Sequence, residues 1–289
     1  MEVQTPILVG LCGWGDHDLY PAKTPSAEKL TIYAQHFPVV ELDSPYHAIP
    51  SAERMEKWGL QTPDGFQFVV KAYRELTGHG RGKGAPKRSW KEIVDQYREA
   101  VQPLKDQGKY SMLLFQFPPW YDCKKPHVAY IRKLRDQFED YVLAIEFRHQ
   151  SWFRAHFRER TLRFLEEEQL VHVVCDEPQA GEGSIPIVPV VTHPKHALVR
   201  FHGRNQSGWN NTGDPSWRKV RYAYRYQENE LQEWVERIQK LKEQADQVTL
   251  LFNNNSQGDA LDNAKTMMKY LSIDHPYKET FPRQLKLFE

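Results

Sequence analysis

Eight short apolar runs punctuate this chain, and most of them end on a polar or catalytic-type side chain. Ile7–Cys12 leads into Gly13 and Trp14, Val39–Leu42 into Asp43, and Phe66–Val70 into Lys71. Met112–Phe115 leads to Gln116, Leu143–Ile145 to Glu146-Phe147-Arg148-His149, and Leu170–Cys175 to Asp176. Ala197–Val199 leads to Arg200-Phe201-His202-Gly203, and Thr249–Phe252 to Asn253-Asn254. Runs built continuously from Val, Ile, Leu and Phe are strands buried on both faces, as in a parallel sheet. Eight of them separated by helical patterns predict a single (β/α)8 TIM barrel, in which active sites form at the carboxyl ends of the strands. The same endings therefore mark a candidate site.

The segments between the runs carry helix signals. Thr24-Pro25 offers an N-cap with proline at the first helical position, ahead of a stripe of Leu30, Tyr33, Ala34 and Phe37. Ser89 and Glu92 make a capping box before Trp90, Ile93, Val94, Tyr97, Val101 and Leu104. Val128, Ile131, Leu134 and Phe138 form another stripe, as do Leu231, Trp234, Val235, Ile238 and Leu241. Leu261, Ala264, Met268 and Leu271 close the barrel, which spans residues 1–274 and leaves 275–289 as an extended tail with two prolines. A chain of 289 residues suits one barrel of about 250 with its loops.

A net charge of +1 means that the molecule as a whole is no polycation, so any nucleic-acid affinity must come from local patches. Cys12, Cys123 and Cys175 form no C-x-x-C pair, which points to a reduced cytoplasmic setting and away from a disulfide framework or a zinc knuckle. The first residues lack a signal-peptide pattern, and no stretch approaches the length of a membrane span.

The densest chemistry lies after strand five. Alternation sends Glu146 and Arg148 to one side of the strand and Phe147 to the other, and His149 follows at once. An acid, a permanent cation and an imidazole together suit proton transfer beside a bound anion, which makes Glu146 and His149 the candidate catalytic pair. The plainer alternative is an internal Glu–Arg pair that fixes the barrel. Arg200, His202 and Gly203 close strand seven, where barrels often hold phosphate, although Arg200 could equally pair with Glu146 in the core. Lys71 serves as a point charge for an anion, or as a Schiff-base former if desolvated. Asp43, Gln116, Asp176, Asn253 and Trp14 complete the set of candidate substrate contacts. Asp43, Asp176, His149 and His202 are a divalent-metal set to be tested by geometry, since they come from different strands.

Two long loops are basic. Seven Lys/Arg face the single acid Glu75 between Lys71 and Lys91, and six face Asp214 between Arg200 and Arg225. The second loop also carries Trp209, Trp217, Tyr222, Tyr224 and Tyr226. Cations mixed with rings suit a polynucleotide groove, although rings packed on a barrel rim are the ordinary alternative.

These strand endings resemble the YecE-like family, domain of unknown function 72. The resemblance rests on Gly10-Leu11-Cys12-Gly13-Trp14, Val40-Glu41-Leu42-Asp43-Ser44 and Phe66-Gln67-Phe68-Val69-Val70-Lys71 with Thr77 and His79 beyond. Gln116-Phe117-Pro118-Pro119, Glu146 through Trp152, Arg200-Phe201-His202-Gly203 and Phe252-Asn253-Asn254 follow in order. Asp43 and Pro45-Tyr46-His47 stand where the family commonly has Asn and a Phe-Tyr pair. The resemblance implies a TIM barrel with a polar mouth and some similarity to nucleic-acid-repair barrels such as endonuclease IV.

In the tail, Gln284-Leu285-Lys286-Leu287-Phe288 resembles the Gln-Leu-x-Leu-Phe peptide that docks bacterial replication proteins on the sliding clamp. Leu287 and Phe288 would fill an apolar groove while Leu285 and Gln284 add contacts; the alternative is a tail packed on its own barrel. Three functions follow. The first is binding or processing of a nucleic-acid backbone by Arg148, Arg200 and Lys71, with the tail as an address. The second is metabolic chemistry on a small phosphorylated or carboxylated compound, and the third is a non-catalytic binding module.

Overall fold

Each apolar run becomes a parallel strand, and the strands close in chain order into one ring, β1-β2-β3-β4-β5-β6-β7-β8, with β8 back against β1. The computed structural model describes residues 6–79, 88–209, 220–255 and 258–274. The strands are β1 Ile7–Cys12, β2 Val39–Leu42, β3 Gln67–Lys71, β4 Tyr110–Gln116, β5 Leu143–Glu146, β6 Val171–Asp176, β7 His196–Phe201 and β8 Gln247–Phe252. Several extend past the apolar run that announced them. Ladder pairing continues one or two residues further, so Lys71, Gln116, Glu146, Asp176 and Arg200 lie within strands instead of after them.

Outside the ring stand α1 Lys29–Tyr33, α2 Ser44–His47, α3 Ala52–Leu60, α4 Trp90–Asp106, α5 Lys125–Gln137, α6 Ala155–Glu167, α7 Gln206–Trp209, α8 Glu228–Lys242 and α9 Asp259–Tyr270. Two 3-10 turns, Arg74–Thr77 and Gln150–Phe153, follow β3 and β5. Among the described residues no helix is long and apolar enough to cross a membrane.

The capping box before α4 is formed as its sequence demands: Glu92 N–H donates to Ser89 Oγ at 3.2 Å and Ser89 N–H to Glu92 Oε2 at 2.6 Å. The cap expected at Thr24-Pro25 is not formed. Thr24 turns its hydroxyl back to the Pro21 carbonyl at 2.7 Å, and α1 starts only at Lys29. The stripe of Leu30, Tyr33, Ala34 and Phe37 is nevertheless buried, because tertiary packing and not the cap places this segment. The short α2, along with α3 capped by the Ser51 side chain, fills a β2–β3 connection that carries no long apolar stripe.

Gly10 in β1 is required by a close approach. A Cβ there would overlap the Val39 carbonyl of the neighbouring strand, so the barrel narrows where only glycine fits.

Candidate active site

Alternation along the strands decides which endings face the barrel axis. Cys12 on β1, Glu41 on β2, Lys71 on β3, Gln116 on β4, Glu146 on β5, Cys175 on β6 and Arg200 on β7 share the inward parity; their contacts assemble them at the carboxyl end. Arg200 is the hub. Its Nε and Nη2 donate to the two oxygens of Glu41 at 2.9 and 2.6 Å, and its Nη1 donates to Glu146 Oε2. Nη2 also reaches the Cys12 sulfur at 3.6 Å, and the Cys12 thiol donates to Glu41 Oε2 at 3.1 Å. All three guanidinium nitrogens of Arg200 are thus engaged within the protein, and the core-pairing alternative describes it.

Glu146 Oε1 collects the other donors. Arg148 Nε reaches it at 2.6 Å and Gln116 Nε2 at 2.7 Å, while His202 Nε2 stands 3.3 Å away. Glu146, Arg148, Arg200 and His202 are each at most 3% exposed. Burial alone would push the Glu146 carboxyl up, but the guanidinium groups of Arg200 and Arg148, with His202, overturn that and hold it well below the usual range. Burial, reinforced by Arg148, lowers His202, so its imidazole is neutral. Asn253 Nδ2 lies 3.0 Å from His202 Nδ1.

Glu177, one residue past β6, completes the chain of charges and was not singled out by the sequence. Its Oε1 accepts the Ile185 N–H at 2.7 Å. Its Oε2 lies 3.4 Å from Arg148 Nη1, and among the described residues neither atom has a hydrogen-bond partner although both are buried. Burial raises the Glu177 carboxyl to about 7, against the opposing pull of Arg148 and the Ile185 N–H. Glu41 was likewise overlooked as a site residue, because it sits inside an apolar run. A carboxylate in a strand buried on both faces must have a cationic partner, and that is the signal that could have found it.

The remaining candidates separate. Lys71 donates to Asp43 Oδ1 at 2.6 Å on the rim, with Asp43 about half exposed. Burial alone would lower Lys71, but Asp43 and Glu41 raise it above the ordinary lysine value, which removes the basis for a Schiff-base role. Asp176 has the outward parity. It accepts from Trp234 Nε1 of α8 at 2.5 Å and from Arg204 at 2.7 to 3.2 Å, and ties β6 to the outer layer. The His149 ring caps its own turn, with Nδ1 2.8 Å from Ser151 Oγ and accepting the Ser151 N–H. Trp14 packs edge-on against Trp58 of α3 at 5.4 Å. The structure therefore does not bring Asp176, His149 or Trp14 to the ion cluster. The metal set of Asp43, Asp176, His149 and His202 is scattered for the same reason.

A different trio, Glu146, Cys175 and His202, offers ligand atoms within 4.8 Å of one another. It does not fit a cation. Both Glu146 oxygens already receive guanidinium donors, and burial keeps the Cys175 thiol protonated.

Trp209 forms a roof over this cluster, with the Arg148 guanidinium 5.1 Å and that of Arg221 4.2 Å from its ring centre. On the opposite side of the mouth the described side chains reach solvent. There Asp43, Lys71, Gln116 and His79 are partly exposed, and Trp120 is 56% exposed. A separate groove of about 600 Å3 lies between α5 and α6, lined by Val128, Trp152, Phe157 and Phe164; no member of the ion cluster borders it.

Fold and site together define a (β/α)8 barrel whose mouth holds a buried chain of alternating carboxylates and guanidinium groups. The chain belongs to the family described as "Protein of unknown function DUF72", whose model matches residues 8–285. It is 50% identical to the UPF0759 protein YunF of Bacillus subtilis strain 168, over 98% of this chain and all of that one. Among solved structures, a DUF72 family protein of Enterococcus faecalis V583 superposes with a TM-score of 0.89 at 37% identity, over 97% of this chain and 100% of that one. A DUF72 family protein of Thermotoga maritima MSB8 gives 0.78 at 31% identity, over 92% of this chain and 99% of that one.

Proposed function

We propose that the mouth catalyses proton transfer next to a carbonyl group of a small compound, with Glu177 as base and acid and Arg148 as the oxygen grip. One observation carries the reading: Glu177 Oε2 and Arg148 Nη1 are buried, 3.4 Å apart and, among the described residues, without hydrogen-bond partners. Buried polar atoms are ordinarily satisfied, so two left open side by side call for a guest oxygen. In the step, ionised Glu177 takes the proton from the carbon beside the carbonyl. The C–H electron pair shifts into the C–C bond, and the negative charge comes to rest on the carbonyl oxygen, where Arg148 Nη1 donates to it. Returning the proton to carbon regenerates both groups. Glu146 stays ionised throughout, with each oxygen occupied, and positions Arg148.

Solvent exchange tests this without a known substrate. In D2O, carbonyl compounds from a pooled set are expected to gain deuterium next to the carbonyl in the presence of the protein. Glu177→Gln is expected to slow labelling by about a hundredfold or more, the range for a lost general acid–base group. Equal labelling by the variant would remove Glu177 from the chemistry.

A polymer-backbone reading has one specific support, the Arg221–Trp209–Tyr222 cluster of cation and rings beside the mouth. Arg81, Lys83, Trp217 and Lys219 of the two basic loops lie outside the described residues. With Arg148 and Arg200 given to internal carboxylates, we expect oligonucleotides to shift in gels only weakly. Tight binding that falls steeply with salt would hand the site to a polyanion.

The peptide Gln284-Leu285-Lys286-Leu287-Phe288 also lies outside the described residues. We propose it as a sliding-clamp address on its sequence alone. Immobilised clamp is expected to retain the full chain and lose one truncated after Pro282; equal retention removes the idea.

A further inference from the structure

The solvent-exposed side of the mouth carries described groups that the proton-transfer step does not use. Trp120, just past β4, presents an indole that is 56% exposed. It is held edge-on against His79, ring centres 5.8 Å apart, and His79 is edge-on to Tyr46 at 5.3 Å. Lys71 Nζ sits 4.9 Å above the Tyr46 ring, so the row is fastened to the ion network below. His79 Nδ1 is 2.9 Å from Thr77 Oγ1, and among the described residues nothing bonds its Nε2. Burial, with Lys71 and Arg148 adding to it, lowers His79 to about 4, so the ring is neutral and offers either a donor or an acceptor.

Charge decides what such a rim takes. Among the described residues Lys71, Arg148, Arg200 and Arg221 are set against Asp43, Glu41, Glu146 and Glu177, four cations to four carboxyl groups. Among the described residues the carboxylates of the mouth therefore offset its cations, which does not favour a phosphate. Among the described residues the polar atoms on this rim are instead mixed in kind: the amide oxygens of Gln116 and Asn253, the Asp43 carboxylate with the Lys71 ammonium that it pairs, and the His79 Nε2. A hydroxyl group both donates and accepts, so a row of hydroxyls uses such a mixture and a phosphate does not. The C–H face of a polyol lies against an indole, whose π-face is negative.

We propose that Trp120 and His79 form a binding subsite for an uncharged polyhydroxylated carbonyl compound, a free sugar, with its carbon face on the Trp120 indole and its hydroxyls on His79, Asp43, Lys71 and Gln116. The proposal rests on the proton-transfer reading only for which end of the sugar enters the mouth.

Saturation-transfer NMR with the full chain and a set of free pentoses and hexoses tests it, alongside deuterium uptake from D2O by the same sugars. The expected result is transfer to the C–H protons of at least one sugar, weakened about tenfold in Trp120→Ala and largely restored in Trp120→Phe. His79→Ala is expected to weaken binding without changing fold, since the ring sits on the partly exposed rim. Transfer with no deuterium uptake supports the subsite and removes the proton-transfer reading. Uptake by simple carbonyl acids without transfer to any sugar overturns the subsite and leaves that reading standing. Equal binding by the wild type and Trp120→Ala, or displacement of the sugar by inorganic phosphate at equal concentration, also overturns it.

Discussion

Arg200→Met is expected to lower the free energy of unfolding by about 3–5 kcal/mol, the cost of leaving buried charges without their partner. The side chain is 1% exposed, and both carboxylates that it bridges, Glu41 and Glu146, are fully buried. Methionine matches much of the aliphatic stem, so lost volume does not explain the loss; a buried Glu41 stripped of its guanidinium and a Glu146 left with Arg148 and Gln116 alone do. The triple change Arg200→Met with Glu41→Gln and Glu146→Gln removes those charges and is expected to recover more than half of the deficit. Urea denaturation followed by circular dichroism measures both variants. A single variant within about 1 kcal/mol of wild type would mean that Arg200 does not organise the mouth. The comparison separates a keystone from a ligand contact, because loss of an anion-gripping arginine leaves stability nearly untouched.

How far the sequence reaches into this site depends on the kind of information each residue needs. The barrel is written in the apolar runs, since burial on both strand faces requires them and eight strands spaced by helices leave one closed solution. The pairing of Glu146 and Arg148 is local too, because Arg148 follows the strand end only two residues on, and the structure pairs them at 2.6 Å. Parity between strands is not local. Nothing in Leu170–Cys175 tells whether Cys175 or Asp176 faces the axis; register against β7 settles it, and Asp176 goes outward to Trp234 and Arg204. Glu177 is hidden for the same reason, one position further along in a proline-bearing loop whose Ile185 N–H turns it inward. His149 follows Arg148 immediately, yet the chain has left the strand there and its ring closes a local turn with Ser151. Sequence neighbours of a site residue are therefore poor guides once the ladder ends.

The pH dependence of stability is expected to single out Glu177. Its carboxyl moves from an ordinary 4.5 to about 7 in the folded protein, so between those values the folded chain holds a proton that the unfolded chain has released. Stability contributed by that proton is complete below 4.5, falls as pH rises, and is gone above about 7. The displacement corresponds to about 3 kcal/mol across this window. Glu177→Gln cannot titrate, so its stability measured against wild type is expected to climb by about that amount from pH 4.5 to pH 7 and then level off. Subtracting the two curves cancels the carboxylates with opposite behaviour, Glu146 above all, which favours the folded state more as pH rises. A difference curve that stays flat would place Glu177 among ordinary ionised glutamates and leave Arg148 Nη1 paired by charge alone. The same proton governs the chemistry. Only ionised Glu177 can accept a proton from carbon, so deuterium uptake by a substrate should rise with pH and reach its plateau above about 7, in step with the loss of stability that the ionisation costs.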